Sequence, residues 1–382
     1  MLLRYTYIFA LLYLAACTKP EGPITGKYPG GDDERIELFD DSYDDYPTVR
    51  YLFGEVSSDT YEPMVLRFDR TAGQLHNGYR YDYTTHQWDT LNIAMVEQEI
   101  QIVTRDSMLL NLTADADGRL VGSYYGPDET QMEGMAVVLT PPTGNLRLYV
   151  VERTDSLSYF GDGNNPFAES TDTYLHPVVA DDELARLLQL SYFDTLLAPD
   201  AIAALAMQGK QYIDDFKKEI EEARNDEYTD DDLLRSFAYA RTSTQVRSVA
   251  FYQNDVLVLA DDLYTYMGGA HGMYYTDYTT IDLRRPAIVT LDDLMRPGYE
   301  PTLLAAIKME AAKREQVEYP DDLKDISDNF YVLPDTLVFY YGVYEIAPYA
   351  AGAFEFKVPT SAVSAYLKED TLLDRLVGVE PQ

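Results

Sequence analysis

One cysteine and two glycine-rich segments hold most of the chemistry that this sequence offers. Cys17 is the only cysteine, so no intrachain disulfide and no thiolate metal site can form. The segment from Tyr264 to Gly272 sets Gly268, Gly269 and Gly272 around His271, with Tyr266 just ahead. Glycines gather where a backbone turns tightly or comes close to something else. Two readings fit: a loop presenting His271 to a ligand, or a corner whose imidazole bonds to nearby backbone. The segment from Phe339 to Gly352 joins Tyr344, Glu345 and Tyr349 with Pro348 and Gly352. Rings beside a carboxylate suit a sugar or a basic protein. The alternative is a structural corner with Glu345 satisfied by backbone donors. The ligand-binding candidates are therefore Tyr266, His271, Tyr344, Glu345 and Tyr349. Gly268, Gly269, Gly272, Pro348 and Gly352 are the candidate corner residues.

Other chemistry is not spelled out. His76, His86, His176 and His271 are far apart, and no pair has the helical spacing that puts two imidazoles on one metal. There is no nucleophile elbow, phosphate loop or dinucleotide fingerprint. Asp115, Asp117 and Gly118 lack the rest of a calcium loop. No catalytic residue, metal or cofactor is assigned, and a non-enzyme is expected. A hydrolase with paired carboxylates stays open as the alternative, because such pairs meet in space and the chain has 65 acids.

The elements around these residues follow from pattern. Arg4, an apolar stretch of roughly a dozen residues and Leu14-Ala15-Ala16 before Cys17 form a secretory signal, too short for the roughly 20 residues of a spanning helix. The last four residues resemble a bacterial lipobox, which implies cleavage after residue 16 and acylation of Cys17 with palmitate-like chains. Residues 17–48 are rich in Gly, Pro and acid and read as a tether. Residues 49–152 carry short β-prone runs between turn signals, the pattern of an antiparallel meander, barrel- or sandwich-like. Asn77-Gly78 and Asp117-Gly118 are its best hairpin turns. Residues 153–171 read as a linker.

From 172 to 370 the pattern is α+β, an antiparallel sheet with packed helices, and 371–382 form a tail. An acidic turn at 181–183 opens one helix and Pro199-Asp200 a longer one. Strands are expected at Val246–Gln253 and Val256–Tyr266 around an Asn254-Asp255 turn, then at Tyr274–Leu283, Leu337–Val343 and Phe354–Val358. Short helices are expected at Thr290–Met295, from Pro301, and at Ser361–Leu367. The acids at 230–232 and 261–262 read as solvated helix caps and strand ends.

Composition limits the partners. Against 65 acids stand 30 Lys and Arg, a net charge of -35. Such a surface repels nucleic acid and anionic headgroups and steers in a cation. The 34 tyrosines fit half-buried strands and contact faces alike.

Four segments also carry a resemblance: Gly268-Gly269-Ala270-His271-Gly272, Ile281-Asp282-Leu283, Thr290-Leu291-Asp292-Asp293-Leu294 with Pro297-Gly298, and Tyr344 to Gly352. In order and spacing they are similar to the RsiV-type extracellular domain, found in the lysozyme-responsive anti-sigma factor RsiV and beside the module of PdaC-type peptidoglycan deacetylases. The likeness runs over about 240–368, with the helical stretch from about 172 resembling the segment that precedes that domain. It implies one α+β unit in a cell-envelope setting. It hands over no mechanism, since a lysozyme-binding surface is distributed and does not map onto single positions here. The expectation is an envelope lipoprotein facing periplasm or exterior, binding cell-wall glycan or a cationic protein such as lysozyme, or else a purely structural component.

Overall fold

The computed structural model describes residues 48–56, 62–71, 74–82, 87–96, 99–104, 109–114, 119–125, 135–140, 148–161, 166–177, 182–193, 200–225, 228–235, 239–314 and 323–377. The leader, Cys17, the tether, the Asp117-Gly118 turn and the end of the tail lie outside them. The chain forms two compact units that divide between Tyr149 and Val150.

The first unit is antiparallel β. Its strands are β1 (Thr48–Val56), β2 (Glu62–Thr71), β3 (Gln74–Asp82), β4 (Gln87–Thr90), β5 (Asn92–Val96), β6 (Glu99–Val103), β7 (Leu109–Ala114), β8 (Leu120–Tyr125) and β9 (Met135–Thr140). They run in the order β4-β3-β2-β1-β9-β8-β7-β6-β5. Alternation puts Leu66, Phe68, Ile100, Ile102, Leu110, Leu112, Leu120, Val137 and Leu139 into one core. The two ends of this path, β4 and β5, are consecutive in the chain, so the sheet curls back on itself.

Asn77-Gly78 is no hairpin turn. Both residues lie inside β3, opposite Asp69 and Phe68. The glycine is there for space: a Cβ on Gly78 would sit 2.5 Å from Ile93 Cδ1. Leu91 N–H also bonds its carbonyl at 2.8 Å.

The second unit is α+β. β10 (Leu148–Ser158) leads into it, followed by β11 (Phe167–Pro177). These strands occupy most of the stretch expected as a linker. Unbroken polar runs, Glu152 to Ser156 and Glu169 to Thr173, hid them, because they show neither alternation nor an apolar run. Helices α1 (Asp182–Phe193), α2 (Ala201–Asn225) and α3 (Asp230–Arg235) come next, then β12 (Ala240–Gln253). β12 pairs parallel with β11, and a parallel pair needs such a crossover. Asp200 accepts from Ala203 N–H at 2.7 Å at the start of α2. Leu184, Leu187, Leu188, Leu205, Phe216 and Ile220 are the buried stripes of α1 and α2.

β12 turns at Asn254-Asp255, with φ 50° and 63°, into β13 (Val256–Tyr266). β14 (Met273–Asp282) and the two-residue β15 (Ala287–Ile288) complete the sheet, whose pairs from β12 onward are antiparallel. The unbroken buried runs in β12 and β13 mean that both faces are covered. Thr290 and Asp293 close a capping box on α4 (Leu291–Leu294), and α5 (Glu300–Ala311) follows with Pro301 in its first turn. A second antiparallel sheet contains β16 (Phe330–Leu333), β17 (Thr336–Tyr341) and β18 (Phe354–Pro359). A 3-10 turn at Thr360–Tyr366 and α6 (Leu372–Val377) come last. Val258, Ala260, Leu303, Ile307, Val332, Phe339 and Phe356 share the core between these layers.

Candidate functional site: an aromatic corner of the second unit

Two loops far apart in sequence meet at one corner. The first joins β13 to β14 and holds Gly268, Gly269, His271 and Gly272. The second joins β17 to β18 and holds Tyr344, Glu345, Pro348, Tyr349 and Gly352. Their rings touch: His271 stacks on Tyr349 with centroids 4.1 Å apart, and Tyr344 leans on Tyr349 at 5.5 Å. The Tyr349 hydroxyl donates to the Gly272 carbonyl at 2.9 Å, tying one loop to the other.

Each loop has its own local cause. Gly268 and Gly269 adopt φ 84° and 100°, which an L side chain rarely takes. Gly272 is needed for a different reason: a Cβ there would lie 2.4 Å from the Tyr264 hydroxyl. Tyr266 does not join the ring stack. Its hydroxyl donates to the Gly269 carbonyl at 2.9 Å and braces the loop from within. His271 Nδ1 lies 3.0 Å from the Gly272 carbonyl. In the second loop Pro348 starts the 3-10 turn Tyr349–Ala351, and Gly352 leaves it at φ 79°. The Glu345 carboxylate accepts from the Gly342 N–H, and Glu345 N–H donates to the Gly342 carbonyl at 3.2 Å.

The sequence singled out neither Tyr264 nor Tyr274 as a binding residue. They are partners across β13 and β14 and stand 45% and 38% exposed, beside Met267 and Met273. Tyr274 meets Tyr349 edge-on at 5.8 Å. Burial, then the nearby Tyr349, raises its phenol pKa, against a bond from the Ala353 backbone. The available signal was the run of tyrosines on both sides of the glycine turn.

Behind the corner a polar seam joins the two sheets. Asn329 donates to the Thr276 carbonyl at 2.7 Å and to the Tyr275 hydroxyl at 2.8 Å, and accepts from Tyr278 N–H at 2.9 Å. Thr276 N–H bonds the Tyr340 hydroxyl at 3.1 Å, and the Thr276 hydroxyl donates to Asp262 at 2.7 Å. Burial lifts the Asp262 carboxyl to about 6, although the Thr276 bond lowers it; Asp261 beside it raises it further. Glu355 on β18 accepts from the Tyr331 hydroxyl at 2.8 Å.

Asp261 and Asp262 are thus not solvated strand ends. Asp261 is buried and takes two bonds, 2.7 and 2.6 Å, from the fully buried Arg247. Arg247 also donates to the Leu188 carbonyl of α1 and lies under the Tyr192 and Tyr174 rings. Tyr192, Gln208 and Ser170 donate to the buried Asp172 at 3.2–3.3 Å. This network docks α1 and α2 onto the sheet and points its donors inward. The acids at 230–232 do sit in the first turn of α3. His176 lies in β11 near the Tyr174 ring, while the side chains of His76 and His86 lie outside the described residues. Among the described residues no three acidic, His or Cys side chains are grouped to hold a metal.

Part of this corner belongs to a recognised family. The stretch 292–361 matches the family described as "Protein of unknown function (DUF3298)". Residues 292–361 are a DUF3298 domain. The domain contains Tyr344, Glu345 and Tyr349 but not His271. No curated protein matches the chain. Among solved structures, a member of the DUF3298 family from Bacteroides fragilis NCTC 9343 aligns with a TM-score of 0.54 and 23% identity, covering 62% of this chain and 100% of that one. A DUF3298 family protein from Pseudomonas aeruginosa PAO1 gives a TM-score of 0.41 and 18% identity, covering 59% of this chain and 96% of that one. The Bacteroides likeness is one of fold.

Proposed function

We propose that this chain is a non-enzymatic binding module of a bacterial cell envelope, held to the membrane by lipid on Cys17. Its DUF3298 domain is then of the RsiV type, and its partner a cationic wall-active protein such as lysozyme. One observation carries the reading. Tyr264, Met267, Met273, Tyr274 and Tyr344, all exposed large apolar side chains, gather at the aromatic corner. Contiguous exposed apolar surface marks a contact face. A net charge of -35 makes a cation the favoured partner, both through long-range steering and through the attraction of ring faces for Lys and Arg. Cell-wall glycan is the second reading, because the adjoining rings of His271, Tyr349 and Tyr344 also suit the apolar face of a sugar.

The test uses the mature chain without its lipid. Lysozyme association is measured across a salt series, beside retention on purified cell wall and release of soluble muropeptides. The expected result is lysozyme binding whose on-rate falls steeply with salt while dissociation changes less, since steering acts on the encounter. Retention on cell wall alone would favour the glycan reading. No binding at low salt together with muropeptide turnover would replace both with the hydrolase.

A further inference from the structure

We infer that Tyr344 is a contact residue displayed on a strained backbone, and that Glu345 positions it rather than pairing with the ligand's charge. This rests on the corner being a binding face. Among the described residues the non-glycine positions with positive φ are Asn254, Asp255, Asp335, Asp370 and Tyr344. Four of these are Asn or Asp, whose short polar side chains bond locally and tolerate the left-handed region. Tyr344, at φ 69°, is the exception. A bulky residue persists there only where its surroundings over-determine it, and such positions cluster at functional sites.

The surroundings do over-determine it. The Glu345 carboxylate and the Glu345 N–H close the turn on both polar groups of Gly342. The Tyr275 ring sits so close to Gly342 that a Cβ there would lie 2.8 Å from Cδ2, so the turn cannot relax toward β14. Folding gains little in return from the Tyr344 ring. It is 56% exposed, and among the described residues its ring meets that of Tyr349 alone. The strain maintains an outward-facing ring. The carboxylate beside it already has a backbone donor, which gives Glu345 a task inside the loop.

Four variants of the full mature chain separate ring, strain and charge, with lysozyme as probe. Tyr344→Ala and Tyr344→Gly both remove the ring, but only glycine relieves the backbone. Both should weaken lysozyme binding about 30-fold or more, the scale of an interface anchor. Tyr344→Gly should melt about 2–4 °C above Tyr344→Ala. Glu345→Gln keeps an acceptor for the Gly342 N–H and loses the charge, while Glu345→Ala loses both. Gln should hold binding within about threefold of the wild type, and Ala should fall about tenfold. Equal melts for the two Tyr344 variants would remove the strain. Wild-type binding by both would remove the contact. Equal losses in Glu345→Gln and Glu345→Ala would restore Glu345 as the charged partner. A wild type that binds no lysozyme overturns the contact together with the proposed function, while the melts still decide the strain.

Discussion

Glu355 should make the stability of the second unit fall as pH rises from mildly acidic to neutral. Its side chain lies on β18 inside the core, 6% exposed, and accepts from the Tyr331 hydroxyl at 2.8 Å. Burial lifts its carboxyl from an ordinary 4.5 to about 7, against bonds from Tyr331 and Tyr278 and the attraction of Lys357 and Arg314. That displacement corresponds to about 3 kcal/mol. Below pH 4.5 the group is neutral in folded and unfolded chains alike, and the contribution is whole. Between 4.5 and 7 the unfolded chain ionises first, so stability falls; above 7 the loss is complete. Glu355→Gln keeps the shape and an acceptor for Tyr331 but cannot ionise. Thermal and denaturant melts of wild type and variant at pH 4, 5.5, 7 and 8.5 give the comparison. The added amide donor shifts the whole series equally, so the difference in slope is the readout. Relative to its offset at pH 4, the variant should gain about 3 kcal/mol by pH 8.5, or about 6–12 °C for a unit of this size. Parallel curves from pH 4 to 8.5 would refute the assignment of a neutral, buried Glu355.

Three further outcomes can be checked separately. Gly269 sits at φ 100° with open space where a Cβ would go, so Gly269→Val should cost about 1–3 kcal/mol through backbone strain alone; an unchanged melt would show that the loop is free to relax. Asp261→Asn should destabilise by about 3–5 kcal/mol, because it leaves the Arg247 charge buried, while replacing both residues by apolar ones should cost much less; similar losses in the denaturant midpoint would contradict this. Cys17→Ser should abolish incorporation of labelled fatty acid and release the protein from membranes, and unchanged membrane retention would remove the anchor.

The local features of this chain were legible in its sequence. The Asn254-Asp255 hairpin, the strands on either side of it, the short helix α4 and the start of α2 depend on turn chemistry and on residues three or four apart. The class of each unit follows from the same periodicities, alternation in the first and alternation mixed with helical stripes in the second. The two corner loops were each visible as clusters of glycine and tyrosine, the second with Pro348. Only the tertiary structure puts His271 on Tyr349 and adds Tyr264 and Tyr274 beside them, because that meeting is set by the packing of one sheet against another. The same holds for Asp261 and Asp262, which read as solvated acids until Arg247 and Thr276 arrive from neighbouring strands. It holds for Gly78, whose turn signal is overridden by Ile93 lying where a side chain would go, and for β10 and β11, whose polar runs become strands only against partners. A sequence encodes period, turn and cap locally; which face is covered, and by what, depends on residues dozens of positions away.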